Sequence, residues 1–385
     1  MIRLKLTSKG TSVPLDEETK GVLRNGFFGH YINGDISLNI EETLYLIETR
    51  NAECYYKGKK ATFDEVASNF WSKPKFMARY FTYKDWRDRG LIAKDARYEY
   101  LNSRITPVKV YNSSPSIKLD YSFLGTFYKG DLMCIIKDIE EGKRIYEELW
   151  IGQYGAYKSI GRGYLNKLDI YETLFLMEKN VLKLENISEE ELKRYIKKKR
   201  PEIFDLYEVY KDWREKGYVV KTGFKFGTHF RIYMHGAKPM KEGSKERMHS
   251  KHVIHVFPKD KKLLISEWAR AIRVAHSVRK TFILAMPNRK NSKKMKIDFI
   301  LYHRKGGEAE NPEKGAPSFG MLSLGEEEYI GGRELSGAIE EAKKRKLDLL
   351  LAIADRETSV TYYKVREIRL EGSDNEYYEI DWLQP

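Results

Sequence analysis

Two cysteines in 385 residues, Cys54 and Cys134, are too few for a disulfide scaffold. They lie far apart, with no Cys-x-x-Cys pair and no Cys/His ligand spacing. That argues against a zinc site and leads us to expect a reducing, cytoplasmic setting. Cys134 sits in "LMCII" and reads as a core residue. Long apolar runs are also missing, and none could cross a bilayer. The opening stretch "MIRLKLTSKG" alternates like a strand and lacks the layout of a signal peptide.

Positive charge is abundant. Lys and Arg number 70 against 56 Asp and Glu, a formal charge of +14. A balance of this kind favours polyanionic partners, usually nucleic acid or an anionic membrane surface, and charge alone barely separates these from an ordinary basic enzyme. Both signs are mixed along the chain, so this is no disordered basic tail. Aromatics make up 13% of residues, 27 of them Tyr, and such rings suit either core packing or stacking on unpaired bases.

The chain repeats itself. "EETLYLIETRNA" from Glu41 matches "YETLFLMEKNVL" from Tyr171. Each is followed by a Thr or Ser ahead of acidic residues, the signature of a helix start. Each then reaches a helix ending in "YKDWR" (Tyr83–Arg87 and Tyr210–Arg214) and a glycine, Gly90 or Gly217, suited to a left-handed helix stop. A second pair, "AIRVAHSVRKTFILA" (Ala271–Ala285) and "AIEEAKKRKLDLLLA" (Ala338–Ala352), aligns without gaps and reads as helix running into buried strand. Aromatic strands at "IDFILYH" and "SVTYYKV" are expected to follow each. The fold class is therefore α/β (α+β): two small α/β units, then two α/β domains with mixed sheets. The expected boundaries are 1–105, 106–220, 221–305 and 306–385, with "RKGGEAENPEKGAPS" as a linker opening the last. "WIGQYGAYKSIGRGYLNK" (Trp150–Lys167) has no clear equivalent in the first copy.

One constellation can do chemistry. After the second YKDWR, "YVVKT", "GFKFG" and "HFRIYM" read as strand, turn and strand, with Tyr233 and Arg231 on one face. His249 stands where a charged loop meets the next strand. The i, i+3, i+6 spacing of His249, His252 and His255 does not keep them on one strand face, so no metal is implied. Ala271, Val274, Ala275 and Val278 form an expected apolar helix stripe; Arg270, Arg273, Ser277 and Lys280 form a second. The position matching Lys280 in the last domain is Leu347, so the lysine is dispensable for the fold. Tyr, His and Lys together suit attack of an RNA 2′-hydroxyl on its own phosphate, which needs a base, an acid and a cation. A Tyr can serve as base only where a cation such as Arg231 lowers its pKa.

"YKDWREKGYVVKTGFKFGTHFRIY", "HSKHVIHVFP" and "RAIRVAHSVRK", in that order, closely resemble the archaeal tRNA-splicing endonucleases. The resemblance implies a metal-independent endoribonuclease that takes no cofactor. Its substrate would be precursor tRNA, cut at a bulge–helix–bulge to leave a 2′,3′-cyclic phosphate and a 5′-hydroxyl. It implies Tyr233 as general base, His249 as general acid and Lys280 as transition-state stabiliser. Arg273 matches an arginine that grips a bulge base, with Tyr302 as its expected aromatic partner. The unit count is similar to the three-unit, homodimeric form of the family. There an acidic loop plugs a basic pocket, and "ADRETS", with Asp355 and Glu357, stands in the matching turn. Lys158, in the Trp150–Lys167 segment, matches a lysine tied to a broad choice of intron positions. Two other readings remain: a non-catalytic RNA-binding scaffold subunit, and a metal-dependent nuclease. Against the latter, no Asp followed by Glu-x-Lys stands around "KIDFIL".

Overall fold

The computed structural model describes residues 1–32, 34–98, 106–114, 119–157, 161–240, 248–287 and 294–385. Two small α/β units open the chain. The first holds a four-stranded sheet in the order Ser12–Pro14, Arg3–Leu6, Glu53–Tyr56, Lys59–Ala61. The second holds a five-stranded sheet in the order Gln153–Tyr154, Asn166–Leu168, Met133–Ile136, Phe123–Tyr128, Leu182–Leu184. In each, one parallel pair is crossed by a helix: Arg3–Leu6 beside Glu53–Tyr56, and Phe123–Tyr128 beside Leu182–Leu184. The helix starts predicted from Thr62 and Ser188 are capping boxes, closed by Glu65 and Glu191. Gly90 and Gly217 both take the left-handed conformation, φ 75° and 87°.

Eleven strands form one long sheet. In chain order its main path contains β1 (Ile92–Asp95), β2 (Val219–Thr222), β3 (Phe230–Tyr233), β4 (His252–Val256), β5 (Thr281–Met286), β6 (Phe299–Tyr302), β7 (Phe319–Gly325), β8 (Asp348–Ala354), β9 (Val360–Leu370) and β10 (Glu376–Leu383). The spatial order is β2-β3-β4-β5-β10-β9-β8-β7-β6-β1. Read from either end, the pairing senses are the same: antiparallel, antiparallel, parallel, antiparallel. The antiparallel pair β9–β10 joins the two halves. We call β2-β3-β4-β5-β10 half A and β1-β6-β7-β8-β9 half B. The two small units cover one face of the sheet, and α3 (Ile265–Ser277) and α4 (Gly332–Lys344) cover the other.

The doubled pentapeptide docks each small unit onto its half. It ends α1 (Phe76–Asp88) and α2 (Glu202–Glu215). Asp85 accepts a hydrogen bond from the Tyr362 hydroxyl of β9 (2.7 Å), and Trp86 packs edge-on to the same ring. Asp212 accepts from the Tyr377 hydroxyl of β10 (2.6 Å), and Trp213 packs edge-on to that ring. Arg87 donates to the carbonyls of Leu91 and Gly26; Arg214 donates to those of Tyr218 and Leu149. Both tryptophans are fully buried, and neither is available to a ligand. Deeper still, Lys94 of β1 donates to the Gly29 carbonyl and Lys221 of β2 to the Gly152 carbonyl. A buried glutamate contact to the same glycine accompanies each: Glu42 accepts from the Gly29 amide, and Glu172 from the Gly152 amide.

Three expectations are corrected. The strand at "IDFILYH" follows β5 in sequence as expected, but it does not belong with it in a 221–305 domain: it is β6, paired with β7 and β1 in half B. The other neighbour of β5 is β10, so half A is completed by the last strand in the sequence. The sheet therefore divides before β6, not at residue 305. "RKGGEAENPEKGAPS" is a loop between two paired strands of half B, carrying its own hairpin (Arg304–Lys305 with Glu308–Ala309). Finally, Trp150–Lys167 does have a counterpart, the hairpin His30–Ile32 with Asp35–Ser37. The strands of that first hairpin nearly abut in sequence, whereas the second carries a long tip.

Candidate active site

The β2–β3 turn must be tight. At Gly223 a Cβ would lie 2.4 Å from Thr228 Oγ1 and 2.8 Å from the Phe230 backbone, and Gly227 has φ +65°. The turn fixes the register Lys221 opposite Arg231 and Val219 opposite Tyr233. Phe230 and Ile232 enter the main core, while Tyr233 belongs to a small cluster with Trp150, Val219 and Ala237. Trp150 lies 4.5 Å from the Tyr233 ring, centroid to centroid. Two residues earlier on the same face, the Arg231 guanidinium stands 5.6 Å from that ring's centroid.

Lys280 reaches the site by a helix stop. α3 ends at Ser277, Arg279 takes φ 54°, and the Lys280 amide donates to the Ala275 carbonyl at 3.0 Å. The expected stripe through Lys280 is therefore broken, because the lysine lies beyond the reversal. The buried face of α3 is Trp268, Ala271, Ile272 and Ala275; Val274 and Val278 are exposed. Lys280 Nζ donates to the Ser250 carbonyl and lies 5.1 Å from the Phe226 ring. Burial, helped by the charge of Arg231, lowers its pKa. His249 is exposed and adjoins Ser250, the residue Lys280 grips. His252 and His255 turn to opposite faces of β4, the first against Tyr111 and the second against His229 and Phe282.

Two residues absent from the expected site belong to it. Tyr157, at the tip of the second hairpin, has Lys225 Nζ 4.5 Å from its ring centroid. Burial pulls the Tyr157 pKa up, but hydrogen bonds and charge from Arg231 and Lys225 outweigh it, and the net shift is downward. A cavity of about 440 Å³ lies beside this cluster, lined by Trp150, Tyr157, Asp169, Lys221 and Arg231 among others. Burial, then the charge of Glu172, raises the Asp169 pKa. The sequence signals for this pair are the aromatic character of the tip and the lysine inside "GFKFG", whose glycines by themselves indicate only a turn.

The other expected residues fall elsewhere. Arg273 is exposed on α3, and its charge and hydrogen bonding act on the Tyr363 hydroxyl of β9, opposing the upward pull of burial. Tyr302 is not beside it. It is fully buried in β6, with its pKa raised to about 12 by burial and Glu310. Its partner Ile92 corresponds to Val219, which makes Tyr302 the half-B counterpart of Tyr233. Leu347 matches Lys280: Lys346 has φ 58°, and the Leu347 amide donates to Ala342 at 3.0 Å. Counting back from the paired strands puts Ala316 where half A has His249. Half B thus keeps a tyrosine and has neither the histidine nor the lysine. Asp355 and Glu357 lie in the β8–β9 turn. The Asp355 carboxylate accepts from the amides of Glu357 and Ser359, both at 2.9 Å, and Glu357 is exposed. Lys158 lies outside the described residues.

A family model described as the tRNA intron endonuclease catalytic C-terminal domain matches residues 203–296, and one for the N-terminal domain of the same enzymes matches residues 5–67. The chain is similar to a tRNA-splicing endonuclease from Methanococcoides burtonii, 27% identical over 68% of this chain and 89% of the relative. It is also similar to those of Methanopyrus kandleri (35% identical, 44% of this chain, 87% of the relative) and Pyrococcus furiosus (35%, 40% and 88%). The last two span most of their own length on less than half of this chain. With Tyr233 and Lys280 gathered around Arg231 in the part matched as catalytic, the chain is an enzyme of the tRNA intron endonuclease family.

Proposed function

We propose that the enzyme excises introns from precursor tRNA at bulge–helix–bulge junctions without a metal ion, leaving a 2′,3′-cyclic phosphate and a 5′-hydroxyl. The observation that carries this reading is Arg231, whose guanidinium lies over Tyr233 and whose charge bears on Lys280. A phenol beside a fixed cation gives up its proton more readily. Tyr233, as phenolate, takes the proton of the 2′-hydroxyl. The 2′-oxygen bonds to phosphorus as the bond to the 5′-oxygen breaks, and His249, as imidazolium, protonates the departing oxygen. One proton is taken and one returned, and no water or cofactor is consumed. Lys280 faces the non-bridging oxygens, where negative charge grows. Arg273 stacks on an unpaired base and Lys158 contacts the RNA. The working form is a homodimer in which Asp355 and Glu357 meet a basic pocket of the second copy.

The test is cleavage of a bulge–helix–bulge RNA in EDTA. Products ending in a cyclic phosphate are expected. Activity only with Mg²⁺ overturns the metal-free mechanism, and no cleavage in any buffer leaves an RNA-binding scaffold. Lys280→Ala is expected to slow cleavage by about 10²–10³-fold with RNA affinity largely retained. A large loss of affinity with unchanged chemistry would refute the role of Lys280.

A further inference from the structure

Tyr157 enters the site from a different unit. It comes from the long hairpin tip of the second small unit, while Arg231, Tyr233 and Lys280 belong to the sheet or its edge. The counterpart hairpin of the first unit is short and faces a half that has neither catalytic histidine nor lysine. Around Tyr157 stand two cations: Lys225 from the β2–β3 turn, with Nζ 4.5 Å from its ring centroid, and Arg231 from β3, which lines the same cavity as Tyr157. Arg231 in turn faces the Tyr233 ring and acts on Lys280, which rests over Phe226 of the same turn.

Three cations held this close repel one another. A phenol oxygen that accepts hydrogen bonds from two of them offsets that repulsion and fixes their side chains. A guanidinium tethered at one edge also loses the freedom to swing into solvent. We propose that Tyr157 is a positioning residue: its hydroxyl holds Lys225 and Arg231 where Arg231 can act on Tyr233. The inference rests on Tyr233 and Lys280 being the reacting groups. It also gives the hairpin a direct hand in chemistry, since displacing the tip displaces Tyr157.

Tyr157→Phe keeps the ring under Lys225 and removes only the hydroxyl. In the full-length protein, single-turnover cleavage of an intron-containing tRNA transcript is expected to slow about tenfold, the value of one hydrogen bond to a charged group. RNA affinity is expected to stay within a factor of about two, and the rising limb of the pH–rate profile to move to higher pH as Arg231 loosens from Tyr233. Thermal melting of the same variant controls for folding. A rate and pH profile equal to the parent overturn the proposal. So does a slower rate with an unmoved profile and a lowered melting temperature, which is what a merely structural contact gives. Tyr233→Phe is measured alongside: if it cleaves normally, the assignment of the site falls, whereas an inactive Tyr233→Phe beside an unaffected Tyr157→Phe defeats only the role of Tyr157.

Discussion

His252 shows what an internal copy can reveal about one residue. It is buried at the head of β4 with its ring edge-on to Tyr111, and the matching position in half B is Phe319. Burial, with Lys109 assisting and Glu379 opposing, pushes its pKa down to about 4. The folded state therefore binds fewer protons than the unfolded chain between about pH 4 and the ordinary histidine value, and stability falls as pH drops through that window. Between neutral pH and pH ~5 the loss is about 2 kcal/mol for this one ring. His252→Phe borrows the solution used in half B. Its melting temperature is expected to decline less on acidification than the parent's, and parallel declines would mean that His252 titrates normally. At this scale the sequence proposes Tyr233, His249 and Lys280 by type and order, and the fold brings Tyr233 and Lys280 to Arg231. Tyr157 was not legible, since nothing local to "YGAY" says that it meets a strand more than seventy positions later.

At the scale of elements, helix starts, helix stops and the β2–β3 hairpin followed from local rules. Capping boxes at Thr62 and Ser188 and glycines past the YKDWR helices need no tertiary information. Strand partners were less accessible. "FILY" in β6 and "FRIY" in β3 are alike because they hold equivalent places in two halves, a fact that chain order hides because β6 follows β5 in sequence but pairs with β7 and β1. The β8–β9 turn separates a local from a long-range role. Asp355 folds its carboxylate back on the amides of Glu357 and Ser359, whereas Glu357 is exposed. Asp355→Ala is expected to cost about 1–2 kcal/mol of stability, read by thermal melting, because two turn bonds are lost. Glu357→Gln is expected to leave melting unchanged and to shift the protein towards the monomer on dilution, read by mass in solution. An unchanged mass would remove Glu357 from the dimer contact.

The whole molecule is two halves that cannot be separated by cutting the chain once. Half A takes its innermost strand, β10, from the far end of the sequence, after the chain has already built most of half B. β10 lies between β5 and β9, and its Tyr377 is the ring that Trp213 and Asp212 dock against. Without it, β5 and β9 would present open edges, and the second YKDWR would lose its seat. Removing residues 372–385 is therefore expected to abolish cleavage, although every proposed catalytic residue lies well before the cut. It should also collapse the near-ultraviolet circular dichroism of Trp213, which is wholly buried in the intact protein. The first small unit docks through Trp86 and Tyr362 on β9, so its secondary structure should outlast that of the catalytic half on heating the shortened chain. A shortened protein that still cleaves RNA at the parent rate would mean that half A is complete without β10, and that the shared sheet is packing alone.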